Sequence, residues 1–121
     1  MDTKQFITTI NETQPLDSIY TRIEKKYGNE LPDEVCRILT LSREPLFWDT
    51  SRFCRLLSLP EIISASENLH VNFTELHMIP CFDCGENDFI VYLIDKNQWA
   101  MFNIIDECMW KQCTDLKTLL P

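Results

Sequence analysis

The stretch His77-Met78-Ile79-Pro80-Cys81-Phe82-Asp83-Cys84-Gly85-Glu86-Asn87-Asp88-Phe89-Ile90-Val91-Tyr92-Leu93-Ile94-Asp95 joins two apolar runs through a short acidic turn. Each run is rich in aliphatic and aromatic residues and too short for an ordinary helix. The spacing therefore predicts strands over 77–82 and 88–94, with Cys84 to Asp88 as the turn between them. Asn87 suits the left-handed backbone that such a turn requires. Two strands joined this closely are antiparallel, which sets the fold class.

Working downstream, Lys96-Asn97-Gln98 marks another turn and 99–105 a third strand. Leu116, Leu119 and Leu120 lie on one side of a closing helix predicted over 113–120. Upstream, Pro60-Glu61 opens a helix expected to run to about residue 75, supported by Ile62, Ile63, Ala65, Leu69 and Phe73. Before it, Leu46-Phe47-Trp48 and Phe53 to Leu59 read as two strands around Asp49-Thr50-Ser51. Leu16, Ile19, Tyr20, Ile23 and Tyr27 recur at helical spacing and Gly28 supplies the stop, giving a helix over 15–27. Leu31-Pro32-Asp33-Glu34 starts the next, with acids at the positive end of its dipole, and Ser42 to Pro45 ends it. Residues 1–14 are patterned weakly and read as a helical turn or a loose arm. Helices grouped before and after consecutive strands make an α+β domain, without the alternation of a doubly wound fold.

The 121 residues suffice for one domain with one core, and 45% apolar with 25% charged residues is ordinary for a globular chain. Met1-Asp2-Thr3-Lys4-Gln5 lacks the apolar centre of a signal peptide, and no apolar run approaches membrane-spanning length; the expectation is a cytoplasmic protein. Its six cysteines are then expected to be reduced and mostly buried.

The net charge of −8 is unevenly placed. Residues 61–107 carry Glu61, Glu67, Glu75, Asp83, Glu86, Asp88, Asp95, Asp106 and Glu107 against Lys96 alone, and the remaining segments balance. Such a field opposes nucleic acid and anionic membrane and favours a basic protein partner. The competing account is a solvated face that maintains solubility.

Three kinds of chemistry compete for the same residues. Cys81-x-x-Cys84, with His77, Cys108 and Cys113, offers zinc ligands, but a structural zinc site normally shows two closely spaced pairs, and Cys108 and Cys113 lie too far apart. A cysteine nucleophile with His70 or His77 as base lacks any sequence sign of a third, orienting group. Asp106 with Glu107, or Glu86 with Asp88, could share a cation or a proton, yet no second cluster of fixed spacing accompanies them. The expectation is a chain with no catalytic residues, metal or cofactor, binding a protein through Asp83, Glu86, Asp88, Asp95, Asp106, Glu107 and Glu61. Trp48 and Trp99 are the expected aromatic anchors.

Ile23-Glu24-x-x-Tyr27-Gly28-x-x-Leu31-Pro32, Leu57-x-Leu59-x-Glu61-Ile62, Ile79-Pro80 before an acidic loop and Asp88-Phe89-Ile90-Val91-Tyr92, and the closing Leu116-x-x-Leu119-Leu120 together resemble the SUKH superfamily. The resemblance spans about residues 16–121. It implies one curved antiparallel sheet of about five to six strands flanked by helices. It also implies an immunity protein that neutralises a toxin domain of a bacterial polymorphic toxin, commonly a nuclease, or else a regulatory interaction module of the same fold. A small zinc-binding domain is the third reading. The chain departs from the family pattern in its turn, where only Gly85 stands in place of a glycine-rich acidic loop.

Overall fold

The computed structural model describes residues 1–121. Six strands form one open antiparallel sheet in sequence order: β1 (Leu46–Phe47), β2 (Arg55–Leu56), β3 (Met78–Asp83), β4 (Asp88–Leu93), β5 (Gln98–Asn103) and β6 (Cys108–Cys113). Helices α1 (Thr3–Glu12), α2 (Asp17–Tyr27) and α3 (Asp33–Leu41) precede it, and α4 (Leu59–Ile63) and α5 (Ala65–Leu69) lie between β2 and β3. The protein is α+β, as the strand and helix grouping predicts.

Pairing fixes two faces. Ile79, Phe82, Ile90, Tyr92, Met101 and Trp99 meet across β3, β4 and β5 on one, while Pro80, Val91, Ala100, Phe89 and Phe102 share the other. Both are buried, which explains why β4 reads as a continuous apolar run with no alternation. On the first face the rings of Phe6, Trp48, Phe82, Trp99 and Tyr92 form a chain of tilted and edge contacts with centroids 5.0 to 6.4 Å apart. On the second, Phe73 packs edge-on against Phe102.

Pro80 sits in a central strand, where a missing N–H would normally break the ladder. It is tolerated because β2 is only two residues long and has turned into the Ser58 cap of α4 before reaching it. Beside it Cys81 is the extra residue of a bulge, so that Ile79 and Phe82 point to the same face.

Three sequence expectations need correction, and one strand was not expected. Residues 1–14 are not a loose arm: Asp2 and Gln5 form a reciprocal capping box, and Phe6 and Ile10 are buried. The helix expected over 60–75 is two short helices that break at Ser64 and end at His70, which adopts φ 57°. Asn72 then bonds the Glu75 N–H through its side chain and turns the chain, while Phe73 still reaches the core. Residues 108–113 form the edge strand β6, whose period is interrupted by a bulge with Lys111 at φ 55°. The closing helix shrinks to a single 3-10 turn over Leu116–Thr118, capped by Asp115.

Candidate functional site

Antiparallel order puts three connections at one end of the sheet: residues 48–54 between β1 and β2, 84–87 between β3 and β4, and 104–107 between β5 and β6. The Ile104 N–H donates to the Asn87 carbonyl at 3.0 Å, tying the last two together. Gly85, Glu86 and Asn87 all have positive φ, at 84°, 53° and 69°. The Asp83 carboxylate accepts from the Gly85 N–H at 2.9 Å, and the Asp88 N–H closes the turn on the Gly85 carbonyl. The turn therefore forms around one glycine, with Asn87 left-handed as its side chain permits.

In the 104–107 turn the Asn103 side chain accepts from the Ile105 and Asp106 N–H groups at 2.9 and 3.1 Å. Glu107 follows at φ 51°. Carboxylates thus stand at two positions, Glu86 and Glu107, where the backbone would accept glycine at lower cost. Neither they nor Asp106 pairs with a cation.

The same end also exposes apolar side chains. Phe53 is 47% exposed and Ile105 is 70% exposed. The Phe53 ring lies over Gly85, and an open depression of about 460 Å³ is lined by Phe53, Leu69, Gly85, Glu86, Phe89 and Ile104.

The other acids of the expected set have different surroundings. Glu61 receives both terminal nitrogens of Arg55 at 2.9 and 2.7 Å, and Asp83 lies 3.4 Å from the same guanidinium. The Arg55 hydrogen bonds hold the Glu61 carboxyl down at about 2, with the Ser58 contacts adding to them against the opposing effect of burial. Both acids share the one Arg55 guanidinium, in a cluster of net charge −1, and are not free carboxylates. Asp88 accepts from Asn103 Nδ2 at 2.9 Å across β4 and β5. Asp95 lies at the opposite end of the sheet, 2.9 Å from His77 Nδ1. The structure therefore brings Glu86, Asp88, Asp106 and Glu107 to one end and leaves Asp95 out.

Trp48 and Trp99 are not anchors for a partner. They are 6% and 2% exposed, and the Trp48 indole donates to the Thr3 hydroxyl at 3.0 Å. The exposed aromatic residues are Phe47 and Phe53. Alternation could have found them, because both share the strand parity of the charged Arg55, while Trp48, Cys54 and Leu56 take the buried side.

Cys81 and Cys84 have different surroundings. Cys81 is fully buried in the β3 bulge, and burial pushes its thiol well above the ordinary value. Cys84 instead stands opposite Cys54, one step past the Arg55 and Asp83 pair of β2 and β3. No three His, Cys, Asp or Glu side chains gather in a group able to hold a metal ion. His70 caps α5 and His77 is engaged with Asp95. No protein-family model, curated protein or solved structure matches the chain.

Proposed function

We propose that this chain is a non-catalytic binding protein whose loop end engages a basic protein partner. The observation that carries the reading is that Glu86, Asp106 and Glu107, without cation partners, share one end of the sheet with the exposed Phe53 and Ile105. Exposed apolar side chains beside unpaired carboxylates suit a protein partner of opposite charge, and the one basic side chain of the three connections, Arg52, is engaged by the Leu119 carbonyl. The acids direct encounter and the apolar side chains hold the complex.

The sequence resemblance to the SUKH superfamily, together with the α+β fold, makes an immunity protein the specific form of this reading. Its partner is then the toxin domain of a bacterial polymorphic toxin or contact-dependent inhibition system. A nuclease domain fits best, because a cleft that holds phosphate is cationic and an acidic surface can occupy it in place of substrate. The acidic field disfavours direct binding to nucleic acid or anionic lipid.

The test is to purify the chain with the product of the adjacent upstream gene and titrate the complex against salt. The reading expects a stoichiometric complex that loses affinity as salt rises and abolishes the partner's activity. A partner bound equally well at low and high salt, or held through the opposite end of the sheet at Asp95, would overturn it.

A further inference from the structure

Residues Cys54 and Cys84 occupy opposite positions across β2 and β3, one step past the Arg55 to Asp83 pair in the same register. Their backbones determine the kind of pair. The Cys84 N–H is turned toward β4, where it donates to the Asp88 carbonyl at 2.8 Å. The Cys54 carbonyl is turned toward β1, where it accepts from the Trp48 N–H at 2.9 Å. Neither strand directs these groups at the other, so the two cysteines form a non-hydrogen-bonded cross-strand pair. In such a pair the Cα atoms stand about 4.5 Å apart with side chains on one face. That lies within the roughly 4.4–6.8 Å that a disulfide spans.

The two sulfurs differ in access. Cys54 is 1% exposed, whereas Cys84 is partly open and lines a surface cavity of about 280 Å³ with Arg52, Asp88, Met101 and Trp110. We infer that Cys54 and Cys84 are a redox-modification site, in which a small peroxide entering this cavity converts the paired thiols to a disulfide. The proposal is independent of what the loop end binds.

Chemistry assigns the roles. The neighbouring Cys54 thiol, against the opposing effect of burial and with help from the Arg52 guanidinium, holds the Cys84 thiol below its ordinary value. The Cys84 thiol, followed by burial, pushes Cys54 upward. Cys84, the sulfur that the cavity leaves open, is the attacking thiolate, and the buried Cys54 resolves it. Its sulfur takes the terminal oxygen of hydrogen peroxide; the O–O bond breaks and the departing hydroxide leaves as water after taking a proton. The Cys54 sulfur then attacks the Cys84 sulfenic acid, forming the S–S bond and expelling a second water. Two thiols are oxidised and one peroxide is reduced. A thiol such as glutathione reverses the change by exchange. The new bond would fasten the 48–54 connection to the 84–87 turn directly beneath Phe53 and Gly85.

The test uses the reduced full chain and hydrogen peroxide. Thiol counting under denaturing conditions should show a loss of two thiols, peptide mapping should join Cys54 to Cys84, and dithiothreitol should restore both. Cys54→Ser should leave a sulfenic acid on Cys84 that a dimedone probe labels, and Cys84→Ser should lose disulfide formation at Cys54. Mapping of the unaltered chain decides the matter even where a variant folds poorly. Disulfides at Cys108 or Cys113 in its place, or a Cys84 that advances to sulfinic acid with Cys54 still free, would overturn the assignment.

Discussion

Arg55 grips Glu61 with two nitrogens, one to each carboxylate oxygen, and one of them, Nη2, also lies 3.4 Å from Asp83. Glu61 also completes the Ser58 capping box of α4 by accepting from the Ser58 N–H at 2.9 Å. Its carboxyl is held at about 2, below the roughly 4.3 of an unfolded chain. A depressed carboxyl contributes stability that is fully present above the unfolded value and is lost as pH falls through the folded one. Urea midpoints should therefore fall between about pH 4.5 and 2, and more steeply than in Glu61→Gln. Because Glu61 is 39% exposed, solvent screening limits this contribution to about 1 kcal/mol. Equal slopes in the two proteins would show that other groups carry the acid sensitivity.

Phe6 joins α1 to the sheet, with ring centroids 5.0 Å from Trp48 and 5.6 Å from Phe82, and it has no exposed surface. Truncation removes ring contacts and opens a cavity between three elements. Phe6→Ala should cost about 3–5 kcal/mol in equilibrium unfolding. Ile7→Ala, on the partly exposed side of the same helix, should cost far less. A small loss at Phe6 would mean that α1 contributes little to the fold.

Sequence periodicity revealed the strands that lie deep in the sheet and failed where tertiary contacts overrule it. The apolar run Phe89 to Leu93 is buried on both faces and could be nothing but strand once its turns were recognised. Cys108 to Cys113 is an edge, half exposed, with a bulge that shifts its alternation by one residue, so neither period appears. The arm over 1–14 looked weak because only Phe6 and Ile10 face inward on a short helix, and its reason for ordering, the Trp48 and Phe82 rings, lies far away in sequence. At the loop end the acidic composition was visible. Which acids were already paired was not, because the Arg55 partners come from α4 and β3, and only the fold brings them together.

Gly28 and Gly85 share a left-handed backbone, with φ at 82° and 84°, in different surroundings. A Cβ on Gly28 would meet nothing within 4 Å, and one on Gly85 would touch the Phe53 ring at 3.6 Å, an ordinary contact. Backbone strain should thus dominate both substitutions. Gly28→Ala and Gly85→Ala should each cost about 1 kcal/mol. A markedly larger loss at Gly85 would show that Phe53 cannot yield and that the turn and the ring are one rigid unit.

Glu86, Asp106 and Glu107 can be reversed in sign without disturbing any ion pair, unlike Asp83 and Glu61. Lysine at the three positions should leave the unfolding midpoint nearly unchanged, since surface substitutions away from special contacts are worth about 0.5 kcal/mol or less. At low ionic strength the same variant should associate with a basic partner about 10-fold more slowly or worse, and the deficit should shrink as salt screens the surface. Phe53→Ala should act differently. It removes apolar contact instead of steering, so it should raise the dissociation rate and leave the salt dependence of association intact. Stopped-flow measurement of both variants separates the two roles. Association by the triple lysine variant at the unaltered rate in low salt would remove these carboxylates from the interface.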